Sequence, residues 1–106
     1  MIRWTASSWS TICRTGAASR SSIILSAFSA VGASAHDAAI VAEGLVWANL
    51  RGGDGHGVSR LPRYLNIIAH GEIDTKAEPT LSHDRAATFV LDCHHGFGPV
   101  AVMRAA

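Results

Sequence analysis

The chain has 106 residues, enough for one small domain with a thin core. A composition of 48% apolar and 16% charged residues excludes a disordered chain. No apolar run approaches the ~20 residues of a membrane-spanning helix, and a net charge of +1 excludes an overall basic signature for nucleic acid.

Residues 1–21 are rich in Ser, Thr, Ala and Arg and carry Trp4 and Trp9 without periodicity. Residues 1–36 hold Arg3, Arg14 and Arg20 and no acid, whereas residues 37–106 hold six basic and eight acidic side chains. An Arg- and Ser-rich, acid-free start suits a transit peptide only if it is also an amphipathic helix. That pattern is weak here, so residues 1–21 are expected to be a disordered leader, or a misread start, ahead of a folded unit at 22–106. Cys13 and Cys93 are too few and too far apart for a disulfide framework and read as free thiols.

The spacing predicts a first helix over Ser22–Val31, with Ile24, Phe28 and Val31 on one face and Gly32 ending it. Ser34 then reads as an N-cap with Asp37 three residues on, at the positive end of the helix dipole. That second helix is predicted to run to about Leu50. Its inner stripe is Ala38, Val41, Ala42, Leu45, Val46 and Asn49, with Trp47 off the centre. After a glycine loop, Pro62 opens a third helix, with Leu61, Leu65 and Ile68 on one face and Tyr64 and Ile67 beside them. Gly71 ends it. Thr80–Ser82 and Ala87–Leu91 are predicted to pair as an antiparallel hairpin about the polar turn His83-Asp84-Arg85. Asp92–Gly98 is a loop, and a fourth helix begins at Pro99. The expected class is therefore α/β: about three helices, a β-hairpin and the start of a fourth helix.

Six histidines raise the question of a metal. There is no HExxH, no CxxC and no i, i+4 ligand pair on a helix, and His94 and His95 would point opposite ways on extended backbone. No metal is expected. Gly96-Phe97-Gly98-Pro99-Val100-Ala101 fits G-x-G-x-x-A between a strand and a helix. It follows a hairpin rather than sitting in a βαβ unit, and Pro99 removes a donor that a pyrophosphate would use, so it reads as a tight turn opening a helix. The loop Leu50–Tyr64 carries more chemistry, with four glycines, three arginines, His56 and Tyr64. Histidine passes protons in either direction near neutral pH. Arg60 offers a planar fork that grips a carboxylate in two hydrogen bonds. Tyr64 lies four residues on and shares a face with Arg60 if the third helix starts early. These parts suit a small acid with a reacting oxygen; exposed, solvated loop residues are the plainer alternative.

The runs Val41–Gly52 and Asp54-Gly55-His56-Gly57-Val58-Ser59-Arg60-Leu61-Pro62-Arg63-Tyr64 resemble the malate/L-lactate dehydrogenase family, distinct from the Rossmann-type lactate and malate dehydrogenases. Gly71–Asp74, Ala77–Pro79 and Leu91-Asp92 through His95–Ala101 continue the likeness in register, over about residues 22–106. The resemblance implies an oxidoreductase using NAD or NADP to interconvert 2-hydroxy and 2-oxo acids such as malate and lactate. It further implies a cytoplasmic homodimer or larger oligomer acting on a small acid, with neither nucleic acid nor membrane as partner. By the same resemblance His56 is the catalytic proton donor, Arg60 binds the substrate carboxylate and Tyr64 lies beside them. The family usually has Ser or Thr where this chain has Gly55.

Family members are several times longer, so the resemblance also implies a truncated N-terminal fragment. Most cofactor binding would then fall to a missing downstream domain, and the fragment alone is expected to be inactive. The alternative is a non-catalytic remnant that persists as a helical dimerisation module, burying Val41, Leu45 and Trp47 against a partner. A histidine metal binder is a third reading.

Overall fold

The structure, a computed structural model, describes residues 18–106. The expectations for residues 1–17, Cys13 among them, lie outside the described residues. Helix α1 spans Ala18–Ala30 and α2 spans Ala35–Leu50. Two 3-10 turns, Asp54–His56 and Val58–Arg60, lead directly into α3, Leu61–Ala69. Strands β1, Thr80–Arg85, and β2, Thr88–Asp92, precede α4, Gly98–Ala105. The expected mixture of helices, hairpin and a further helix is present, with α1 starting earlier than Ser22 because Ala18–Ser21 hold no helix breaker. Among the described residues no helix is long and apolar enough to cross a membrane.

Local chemistry sets the helix ends. Ser34 is extended, and its Oγ accepts the Asp37 N–H at 3.1 Å, so the predicted cap forms. At the far end of α2 the Gly53 N–H reaches the Ala48 carbonyl at 2.8 Å and the Gly52 N–H reaches that of Asn49 at 3.0 Å. Gly52 sits at φ +78°, which a residue without Cβ adopts cheaply. The same closure ends α1 at Gly32 and α3 at Gly71.

Helix α2 is the centre of the packing. Its Ala38, Val41, Ala42, Leu45 and Val46 are buried, together with Ile24 and Phe28 of α1 and Phe97 and Val100 at the α4 end. The stripe predicted for α2 is thus its core face, except at Asn49. On α3 the residues packed against the core are Leu61, Tyr64 and Ile68, so the inward face centres on Tyr64 rather than Leu65. The reason is aromatic: Phe28 meets Tyr64 at 5.8 Å and Phe97 at 5.6 Å, both edge-to-face.

The hairpin differs from expectation in its turn. Thr80 pairs with Asp92, Leu81 with Leu91, Ser82 with Val90 and Arg85 with Thr88. His83 and Asp84 therefore oppose Phe89 alone, a bulge in which His83 takes φ +50°. The chain reverses at Ala86-Ala87. Polar residues that tolerate positive φ serve turns and bulges equally, so the sequence pattern placed the turn too early. His94 and His95 also depart from extended backbone, at φ +45° and +62°. His94 Nε2 lies 2.7 Å from the Thr80 hydroxyl.

The dimerisation alternative loses two of the three residues it named. Val41 is 1% exposed and Leu45 5% exposed inside the chain's own core, so neither can be buried again by a partner. Trp47 stays 44% exposed, with the Arg51 guanidinium 4.9 Å over its ring.

Candidate active site

The loop after α2 and the first turns of α3 frame a cleft of about 330 Å³. His56, Arg60, Arg63 and Tyr64 line it, Leu45, Ile67 and Ile73 form an apolar floor, and Gly98-Pro99 closes the α4 side. The three residues singled out from sequence therefore face one space. They converge because the 3-10 turn carrying Arg60 runs into α3 without a break, which keeps Arg60 and Tyr64 in helical register.

Each side chain is held differently. His56 ends the first 3-10 turn and is exposed, and its imidazole has no hydrogen-bond partner among the described residues. Arg60 Nε donates to the Gly55 carbonyl at 2.7 Å. That bond pins the guanidinium by one edge and leaves both Nη groups for a ligand. Tyr64 is anchored through its ring, edge-on to Phe28 and tilted by 48° to Phe97 at 6.4 Å. Ser59 Oγ donates to the Asp54 carbonyl at 2.7 Å, which draws the two 3-10 turns together.

Two residues of the site went unrecognised in the sequence. Arg63 adds a second guanidinium to the cleft, and nothing in the sequence sets it apart from the other two arginines of the loop. Asn49 was assigned to the apolar stripe, yet its amide bonds Asp54 and Val58 in the loop. A polar residue on an apolar stripe, just ahead of a glycine loop, is the signal that could have found it.

The turn at Gly96–Gly98 does not form a dinucleotide cradle. A Cβ at Gly96 would stand 3.0 Å from the Cys93 carbonyl oxygen and 3.3 Å from Ala77, so the glycine serves packing within the chain. The strand before it is antiparallel, and Pro99 occupies the first turn of α4. Among the described residues no three His, Cys, Asp or Glu side chains converge as a metal site would need.

A cleft built from a histidine, two arginines and a tyrosine is suited to an anionic small molecule with a polar reacting atom. The family model for malate/L-lactate dehydrogenase matches residues 17–106, and the chain belongs to this family. It is 34% identical over 84 residues to a malate dehydrogenase of Pyrococcus abyssi, covering 79% of this chain and 23% of that protein. The solved malate dehydrogenase of Pyrococcus horikoshii superposes with a TM-score of 0.77 at 33% identity, over 80% of this chain and 24% of that one. A Δ1-piperideine-2-carboxylate reductase from Pseudomonas syringae superposes with a TM-score of 0.75 at 31% identity, over 81% and 26%. The chain thus spans about a quarter of the length of these relatives.

Proposed function

We propose that this chain supplies the acid-binding and proton-transfer part of a nicotinamide-dependent oxidoreductase that interconverts 2-hydroxy and 2-oxo acids such as malate and lactate. The observation that carries the reading is the convergence of His56, Arg60 and Tyr64 on one cleft in a chain of the malate/L-lactate dehydrogenase family. In this reading NAD or NADP is held mainly by the part of the family fold that this chain does not span. By resemblance to the family, the assembled enzyme is a cytoplasmic homodimer.

The residues present divide the work. The two Nη groups of Arg60 grip the substrate carboxylate and set the neighbouring carbon–oxygen group toward His56. When a bound reduced nicotinamide supplies hydride to the carbonyl carbon of the 2-oxo acid, His56 would give its ring proton to the carbonyl oxygen as that oxygen becomes a hydroxyl. In the reverse direction neutral His56 takes the proton back. Tyr64 and the floor of Leu45, Ile67 and Ile73 shape the cleft and limit water.

The test is a chimera in which this chain replaces the matching quarter of the Pyrococcus horikoshii malate dehydrogenase. It should oxidise a reduced nicotinamide cofactor with a 2-oxo acid. His56→Ala should lower kcat by about 10²–10⁴, the range for a positioned acid–base group. Arg60→Ala should raise KM at least about tenfold, the worth of a charged hydrogen bond. A chimera that keeps full activity with His56→Ala would overturn the assignment.

A further inference from the structure

The loop that carries His56 and Arg60 is tied to α2 by one side chain. Asn49, in the last turn of α2, donates from Nδ2 to Asp54 Oδ1 at 2.6 Å. Its Oδ1 accepts the Val58 N–H at 2.7 Å. The Val58 N–H is a donor, which fixes the oxygen end of the amide and turns the NH2 end to the Asp54 carboxylate. The two partners lie in successive 3-10 turns, on either side of His56 in sequence. Gly57 presses against the amide so closely that a Cβ there would overlap Asn49. The backbone closure of Gly52 and Gly53 onto α2 holds only the start of the loop, and the other side-chain bonds, Ser59 to Asp54 and Arg60 to Gly55, lie within the loop and do not set its position relative to α2.

We propose that Asn49 is a positioning residue whose amide clamps the loop so that His56 and Arg60 face the same cleft. The proposal rests on the acid-binding reading of that cleft. An amide suits the position: Asp54 needs a donor and the Val58 N–H needs an acceptor, and the two ends of the Asn49 amide offer one of each from separate atoms without charge. Asp at position 49 would keep the acceptor but set a second carboxylate against Asp54. The double variant Asn49→Asp with Asp54→Asn exchanges the two ends and restores both hydrogen bonds.

The experiment is NMR on the full 106-residue chain, with L-malate as the probe. It reads the malate-dependent shifts of the His56 ring and the Arg60 Nε–H, and the hydrogen exchange of the Val58 amide. Asn49→Ala should speed Val58 exchange about tenfold, the loss of one part-buried hydrogen bond. Malate affinity should fall by a similar factor, because the competent loop is then a minor population. Asn49→Asp should behave like Asn49→Ala, and the exchanged pair should recover both readouts. A folded Asn49→Ala with unaltered malate affinity overturns the proposal. If Asn49→Ala does not fold, the exchanged pair decides: wild-type malate affinity supports the clamp, and affinity no better than Asn49→Asp overturns it. A wild-type chain whose His56 and Arg60 ignore malate sinks the acid-binding reading instead, and the clamp then stands or falls on Val58 exchange alone.

Discussion

Gly55 and Gly57 stand two residues apart in the same loop and should respond oppositely to an added side chain. Gly57 has φ −95°, which any residue adopts, but a Cβ there overlaps the Asn49 amide. Gly57→Ala should therefore cost about 1–3 kcal/mol, the usual range for overpacking, read as a lower urea midpoint. Gly55 has nothing within 4 Å of its would-be Cβ. Gly55→Ser should leave that midpoint unchanged and place a hydroxyl beside His56. Equal loss in both variants would show that the loop, rather than the Asn49 contact, resists side chains. The glycines themselves were legible in sequence; which of them is sterically required was not, because that depends on a side chain eight residues away on α2.

At the scale of elements, α2 carries both the core and the approach to the site. Its small residues Ala38 and Ala42 are fully buried beside Ile24 and Phe28 of α1. Phe28 also receives Tyr64 and Phe97 edge-on. Phe28→Ala should cost about 3–5 kcal/mol, transfer and cavity together, measured by urea unfolding. Because the cavity would open beneath Tyr64, the same variant should weaken malate binding, whereas a Val46→Ala truncation, which removes no aromatic partner of Tyr64, should leave it unchanged. Glu43 lies on the other side of α2 with its Oε1 buried and unpartnered. Burial raises its pKa above the ordinary 4.5. The folded chain then holds that proton more tightly than the unfolded chain does. Its contribution to stability is fully present below pH 4.5 and is lost as pH rises through the raised folded value. Glu43→Gln, which does not titrate, should unfold later than wild type at pH 8 and close to it at pH 4. A gap that does not widen with pH would remove burial as the cause.

At the scale of the molecule, the chain spans about a quarter of the relatives it matches and carries an apolar groove on the outer side of α2 and α4. Ile40, Trp47, Val102 and Met103 line it, and Val102 is 68% exposed. An apolar patch of this kind drives association in water. Light scattering should show the 106-residue chain associating as its concentration rises, and Val102→Lys with Met103→Lys should suppress that without lowering the unfolding midpoint. Persistence of the association in the lysine variant would assign it to another surface, such as the hairpin, where Leu81 and Phe89 are also exposed.

The sequence by itself determined the helices and most of their ends, though not the start of α1. A hydroxyl at Ser34, glycines at 32, 52 and 71, and apolar spacing along α2 act within one or two turns of chain and need no distant partner. It also determined which residue types could do the chemistry, because His56, Arg60 and Tyr64 lie within one short loop and the turn after it. The tertiary structure alone decided what those residues face. Tyr64 turns inward because Phe28 and Phe97, far away in sequence, offer their ring edges and faces. Asn49 belongs to the loop rather than the core because Asp54 and Val58 present a matching acceptor and donor. The hairpin reverses at Ala86-Ala87 because cross-strand register absorbs the polar residues as a bulge. Each of these outcomes rests on a contact between separated segments, and a pattern read along the chain carries propensity but not that contact.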